Sequence, residues 1–136
     1  MDCVFCAIVR GDLPCSPVFE SERVLAFLDI APATPGHVLV VPRAHATGLA
    51  EVDPEDASQL MVVAQQLAGA LRRSAVPTDG INLLLADGEV AGQEVFHVHL
   101  HVVPRTGGDG FQVSAEFSHP ARVQLDATAA HIRAAL

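Results

Sequence analysis

The sequence predicts an α+β fold built on a mainly antiparallel sheet of about five strands, with one long helix and short terminal helices. Three features carry that expectation. The segment His97-Val98-His99-Leu100-His101-Val102-Val103 alternates imidazole with apolar side chains, which is the period of a β-strand. One run, from Asp53 to about Ala75, has helical periodicity behind a strong N-terminal signal. The other apolar runs have strand length and are bounded by proline, glycine or charged turns.

Taken in order, the chain opens with a short turn around Cys3 to Arg10. Ser16 to Phe19 and Val24 to Leu28 read as two strands of a hairpin, joined by Glu20-Ser21-Glu22-Arg23. Prolines and Gly36 interrupt regularity from Ala31, and His37 to Val41 then forms a β-branched strand ending at Pro42. Asp53 can cap a helix, Pro54 suits its first position, and Glu55 and Asp56 suit the positive end of its dipole. Leu60, Ala64, Leu67 and Leu71 mark the buried face of that helix. Gly80 to Leu85 reads as a strand, Asp87-Gly88 as a hairpin signal, and the histidine strand follows. The tail from about Asp126 to Leu136 reads as a short helix.

With 136 residues, half of them apolar, the chain is expected to form one domain over residues 1–136 with a substantial core. No stretch approaches a membrane span and no export signal is visible, so a cytoplasmic protein is expected. The net charge is −8, with eight arginines and no lysine, which argues against a broad nucleic-acid surface. An anionic substrate must therefore be held by local groups. Cys3, Cys6 and Cys15 are an odd set without an export signal, which fits a reducing compartment better than a disulfide framework.

On a strand, His97, His99 and His101 share one face and Val98, Leu100 and Val102 the other. A row of imidazoles backed by apolar residues calls for chemistry near neutral pH rather than a merely solvated face. All three cannot hold one ion, because at ~3.3 Å rise per residue the outer Cα atoms lie about 13 Å apart. Two neighbours still could, which leaves a histidine-pair zinc enzyme open. Cys3-Val4-Phe5-Cys6 has the spacing that lets two thiolates grip one tetrahedral Zn²⁺. A thioredoxin-like redox site would need a strand ahead of the first cysteine, where only Met1 and Asp2 stand. Free reduced thiols are the plainer alternative.

These residues resemble the histidine triad (HIT) family of nucleotide hydrolases, in particular its bacterial-type, zinc-containing members near the Hint branch. The resemblance lies in the triad itself, in Gly92-Gln93-Glu94-Val95 before it, and in Asp29, Pro32, Gly36-His37, Leu39-Val40, Pro42 and His45. It implies that His99 is the nucleophile, attacking the α-phosphorus of a nucleoside phosphate linkage to give a nucleotidyl-histidine that water hydrolyses. Such chemistry needs a neutral His99, its tautomer fixed by a backbone carbonyl, and a neighbouring His101 discourages a second positive charge. By the same resemblance His101 positions the phosphate, Gly92 and Gln93 approach phosphate or leaving group, Glu94 either acts as an acid toward the leaving group or points out and does nothing, and Asp29 binds the ribose hydroxyls. His45 and His97 would complete a structural zinc site with Cys3 and Cys6.

The family resemblance further implies a purine nucleotide substrate, a homodimer paired through the long helix and a neighbouring strand, and no nucleic-acid or membrane partner. Two positions depart from the family pattern. Glu94 stands where many members carry Ser or Thr, and Ala86 where many carry Asn, which bears on nucleotide affinity. A phosphorylase or nucleotidyl transferase would use the same intermediate, although His101 in place of Gln leans toward hydrolysis. The alternative outside catalysis is a zinc-stabilised nucleotide sensor or interaction protein.

Overall fold

A computed structural model describes residues 3–136. Five strands, β1 (Pro17–Glu20), β2 (Val24–Leu28), β3 (Val38–Pro42), β4 (Gly80–Leu84) and β5 (Leu100–Arg105), form one sheet in the order β1-β2-β3-β5-β4. Every neighbouring pair is antiparallel. The fold is therefore the α+β class expected, with helices α1 (Val4–Arg10), α2 (Pro54–Arg73) and α3 (Arg122–Ala135).

Strand alternation sorts the core into two layers. Val24, Ala26, Val38, Val40, Leu100 and Val102 face α2, meeting Leu60, Val63, Ala64, Leu67 and Leu71. Leu25, Phe27, Leu39 and Val41 face the opposite side, where Phe5 of α1 packs on them. Helix α2 starts as its sequence dictates, with the Asp53 side chain accepting from Glu55 N–H and Pro54 at the first turn. At 20 residues it covers its face of the sheet, whereas the 7 residues of α1 cover only part of theirs. The uncovered remainder, beside Phe27 and Leu39, is where a ligand can reach the sheet.

Four local expectations are corrected. Cys3 to Arg10 is not a turn but helix α1, because the Cys3 thiol accepts from Cys6 N–H at the N-cap and Gly11 closes the helix with φ +84°. The ladder of the histidine strand begins only at Leu100, so His97 and His99 lie ahead of it; Val98 N–H is taken by Ala46 O at 2.7 Å instead. The side-chain alternation nevertheless continues through this irregular stretch, with Val98 packed on Ala46 and Val52 and the histidines on the Phe5 side. Asp87-Gly88 makes no tight hairpin: Asp87 accepts from Leu49 N–H, and a long connection containing the turn Glu89–Ala91 joins β4 to β5. Helix α3 begins at Arg122 rather than Asp126 and is largely exposed.

Gly36 places the next residue of interest. Its φ is +88°, and a Cβ there would approach Val76 Cγ1 to 2.7 Å, so no other residue fits before His37 without rearrangement.

Candidate active site and metal centre

His97, His99 and His101 sit on the α1 side of the sheet, and Phe5 separates the first two, with ring centroids 5.9 Å from His97 and 5.1 Å from His99. His97 is fully buried. Its Nε2 lies 2.8 Å from the carbonyl of Pro42, which can only accept, so Nε2 carries the proton and Nδ1 presents a lone pair. That lone pair points at Cys3 Sγ (3.5 Å), Cys6 Sγ (3.6 Å) and His45 Nδ1 (3.2 Å), while Cys6 Sγ is 3.3 Å from His45 Nδ1.

These four atoms fit a metal ion. A tetrahedral zinc with ordinary bond lengths sets its nitrogens about 3.3 Å apart and nitrogen from sulfur about 3.6 Å apart. All four ligand atoms lie within 4.8 Å of one another. The tautomer of His97 is the one ligation requires, held by an outer hydrogen bond of the usual kind. Helix α1 supplies the geometry, since capping by Cys3 and a first-turn Cys6 bring both thiols to one end of the helix. The three cysteines form no disulfide.

His99 has a similar arrangement with a different outcome. Its Nδ1 lies 2.7 Å from the carbonyl of His97, so Nδ1 donates and Nε2 keeps a free lone pair. Beside it, at 4.8 Å between ring centroids, His101 is ordered by a residue that the strand pattern leaves unremarked. His37 Nδ1 accepts from Ala33 N–H at 3.0 Å, so His37 carries its proton on Nε2 and donates it to His101 Nδ1 at 2.9 Å. His101 in turn presents Nε2–H. The signal for His37 was its place directly after a glycine that must adopt positive φ, two strands from the triad in sequence but cross-strand in space. This hydrogen bond also accounts for the grouping of Asp29, His37 and His101 without an ion.

Burial, then the neighbouring His99 and His37, pushes His101 down to about 4, and Asp29 opposes this only in part. Burial also lowers His37 and His97. Below the ordinary histidine value near 6.5 the unfolded chain takes up a proton that folded His101 refuses until about pH 4. Stability is therefore expected to fall as pH drops through that window, by up to roughly 3 kcal/mol from His101. Urea unfolding at neutral and mildly acid pH checks this; His101→Asn should flatten the slope, and an equal slope in both proteins would refute the assignment.

A cavity of about 460 Å³ opens onto His99 and His101, walled by α1, Phe27, Leu39, Ile30 and Val95, with Asp29, Cys15 and Glu94 also on its lining. One oxygen of Asp29 accepts from Ala31 N–H at 2.9 Å and the other lies 3.7 Å from His37 Nε2. Gly92 and Gln93 are not in this cavity. Gly92 ends the turn Glu89–Ala91 with φ +95° and lines an adjoining groove. Gln93 is buried, accepting from Gly88 N–H and donating to the carbonyls of Thr47 and Val95, so its amide braces the loop. Exposed Glu94 lines both the cavity and the groove. The glycine-rich segment 107–110 cradles no anion, because Asp109 already takes the N–H groups of Thr106 and Phe111 and pairs with Arg105. His119 and His131 lie on the exposed tail.

Residues 10–108 match the HIT domain. Protein hit of Bacillus subtilis is 47% identical over 111 residues, 81% of this chain and 76% of the relative. The adenosine 5'-monophosphoramidase hnt1 of Schizosaccharomyces pombe is 38% identical over 105 residues, 77% of this chain and 75% of the relative. Among solved structures, a HIT family protein from Bacillus anthracis superposes with a TM-score of 0.92 at 40% identity, covering 99% of this chain and 97% of that one. A Zn-bound histidine triad family protein from Mycobacterium smegmatis gives 0.79 at 42% identity, covering 100% and 99%. With this coverage and the triad at the centre of its site, the chain belongs to the HIT, or histidine triad, family.

Proposed function

We propose that the protein, a single HIT domain over its 136 residues, is a nucleotide hydrolase that cleaves the α-phosphate linkage of nucleoside phosphoramidates or dinucleoside polyphosphates. The observation that carries this reading is the fixed tautomer of His99, whose Nε2 lone pair is free beside a ligand-sized cavity. Family membership and the relative named as a monophosphoramidase support it. In the first displacement His99 Nε2 bonds to the α-phosphorus as the bond to the leaving group breaks, its electron pair departing with that group. The resulting imidazolium keeps Nδ1–H against the His97 carbonyl, which stabilises the added positive charge. His101 Nε2–H donates to a phosphoryl oxygen, and Asp29 takes the ribose hydroxyls of a purine nucleotide. Water then attacks phosphorus, His99 leaves as neutral imidazole, and the nucleoside monophosphate is released.

Zinc in the Cys3, Cys6, His45 and His97 site would have four protein ligands, so its contribution is to hold α1 and the residues before β5 in place. Cysteines joined in no disulfide support a cytoplasmic location. No described helix is long and apolar enough to cross a membrane.

The reading includes a homodimer. Met61, Val62 and Leu83 expose apolar surface along one groove between α2 and β4, and β4 is an edge strand with open hydrogen-bonding groups. Sedimentation equilibrium should give twice the 14.3 kDa chain mass, and Leu83→Glu should return it to one; a monomeric wild type would refute the pairing.

The test of the hydrolase is intact mass after brief mixing with an adenosine phosphoramidate. An adenylyl adduct present in wild type and absent in His99→Ala supports it. Nucleotide binding with neither adduct nor turnover, for phosphoramidates and diadenosine polyphosphates alike, would make the protein a sensor, and ADP formed in added phosphate would make it a phosphorylase.

A further inference from the structure

We infer that Glu94 selects the leaving group by charge, so that the site takes nucleoside phosphoramidates of cationic amines and turns away polyphosphate leaving groups. This rests on the hydrolase reading and names the half of the substrate which that reading leaves open.

The argument starts from what the cavity lacks. No arginine lines it, and the chain has no lysine. Arg10, Arg23 and Arg105 are paired with carboxylates outside the cavity, and Arg43 holds the Ser21 carbonyl. One phosphate can be met by the N–H of His101 and by backbone groups. A polyphosphate leaving group brings further negative charges, and among the described residues no cationic side chain lines the cavity or the adjoining groove to neutralise them. Instead it meets acids: Glu94 lies at the junction of the cavity and the adjoining groove, and that groove adds Glu89. Like charges placed together in this way disfavour binding and favour a cation in their stead.

The two carboxylates of the cavity are not equivalent. Asp29 has one oxygen on Ala31 N–H and belongs to the ribose hydroxyls in the reading above, while its other oxygen, 3.7 Å from His37 Nε2, receives no proton from it because His37 donates to His101. Among the described residues Glu94 has neither hydrogen-bond nor ion-pair partner, so it is available to a ligand. Its backbone is well placed to serve, because the three backbone hydrogen bonds of the Gln93 amide fix the loop beside it. The charge also suits the bond to be broken. A phosphoramidate nitrogen protonated from solvent carries positive charge; when His99 attacks, the P–N electron pair goes to nitrogen and a neutral amine departs. A carboxylate on the exit path favours that protonated nitrogen and any cationic tail.

The experiment compares two adenosine phosphoramidates of equal size, one with an ammonium tail and one with a hydroxyl tail, together with diadenosine tetraphosphate. kcat/KM is measured with wild type and Glu94→Gln, and equilibrium binding with His99→Ala and His99→Ala/Glu94→Gln. The ammonium compound is expected to be favoured over the hydroxyl compound by roughly tenfold, with the tetraphosphate below both; Glu94→Gln should remove most of that ratio, and salt should weaken it. Equal values for the two amides in wild type, or a ratio unchanged in Glu94→Gln, would overturn the inference. If wild type hydrolyses neither amide while the charge ratio persists in binding, the hydrolase reading falls and the role of Glu94 stands.

Discussion

His99→Ala is expected to lower kcat/KM for a nucleoside phosphoramidate by at least about 10³-fold and to abolish the covalent adduct. The size of the effect follows from what is lost. Removing a transition-state hydrogen bond leaves the same route at a slower rate, whereas removing the nucleophile removes the route, and water must then attack phosphorus directly. No described neighbour can substitute. His97 has one nitrogen on the Pro42 carbonyl and the other turned to the two thiols, and His101 is oriented by His37 with Nε2 protonated. The fold should survive, because His99, though buried, borders the cavity, and the stability cost comes from its ring contacts with Phe5 and His101 and the lost hydrogen bond to the His97 carbonyl, about 1–3 kcal/mol. Rapid-quench kinetics, with unfolding curves for both proteins, separate the two losses. A variant that retains more than about a tenth of the wild-type rate would remove His99 from the reaction.

The contrast between His99 and its neighbours explains what could be read from the sequence. Period-two alternation at 97–103 is legible because it survives even where the hydrogen-bonded ladder is absent: packing of Val98 against Ala46 and Val52 keeps the register of sides without a partner strand. Helix α2 was legible from its cap and apolar stripe, both of which are local. What the sequence did not reveal depends on distant pairing. A residue ahead of a strand, such as His37, looks like packing until the β3–β5 register, which pairs Leu39 with His101, brings it diagonally within hydrogen-bond reach of His101. Helix α1 is too short for periodicity to identify, and its formation rests on a thiol cap and the burial of Phe5 under the sheet. Gln93 is a case of the opposite kind. A polar residue near a phosphate site invites a binding role, and its amide also bonds the Gly88 N–H and Val95 carbonyl of its own loop and the Thr47 carbonyl of a segment distant in sequence.

Removal of the metal should be the second large effect, and its main readout is stability rather than rate. Cys6→Ser and His97→Ala are expected to lose zinc from the purified protein and to lower Tm by roughly 10–20 °C, as the loss of about 3–5 kcal/mol does in a chain of this size. The reason is topological. Helix α1 packs on the sheet through Phe5, with Cys3, Ile8 and Val9 beside it, and among the described residues the side-chain polar contacts of its N-terminal end with the rest of the fold are those of the two thiols with His45 and His97. Without an ion the His45 and His97 nitrogens stand 3.2 Å apart with at most one proton between them, among thiols whose ionisation is opposed by burial at Cys6. A divalent cation resolves that conflict, so chelation of the wild type should reproduce the Tm of Cys6→Ser and leave that variant unmoved. Turnover should fall about tenfold, far less than in His99→Ala, because the His97 peptide that orients His99 loosens while the nucleophile remains. Unchanged zinc content in either variant, or a wild-type Tm indifferent to chelator, would show that these four side chains meet without a metal.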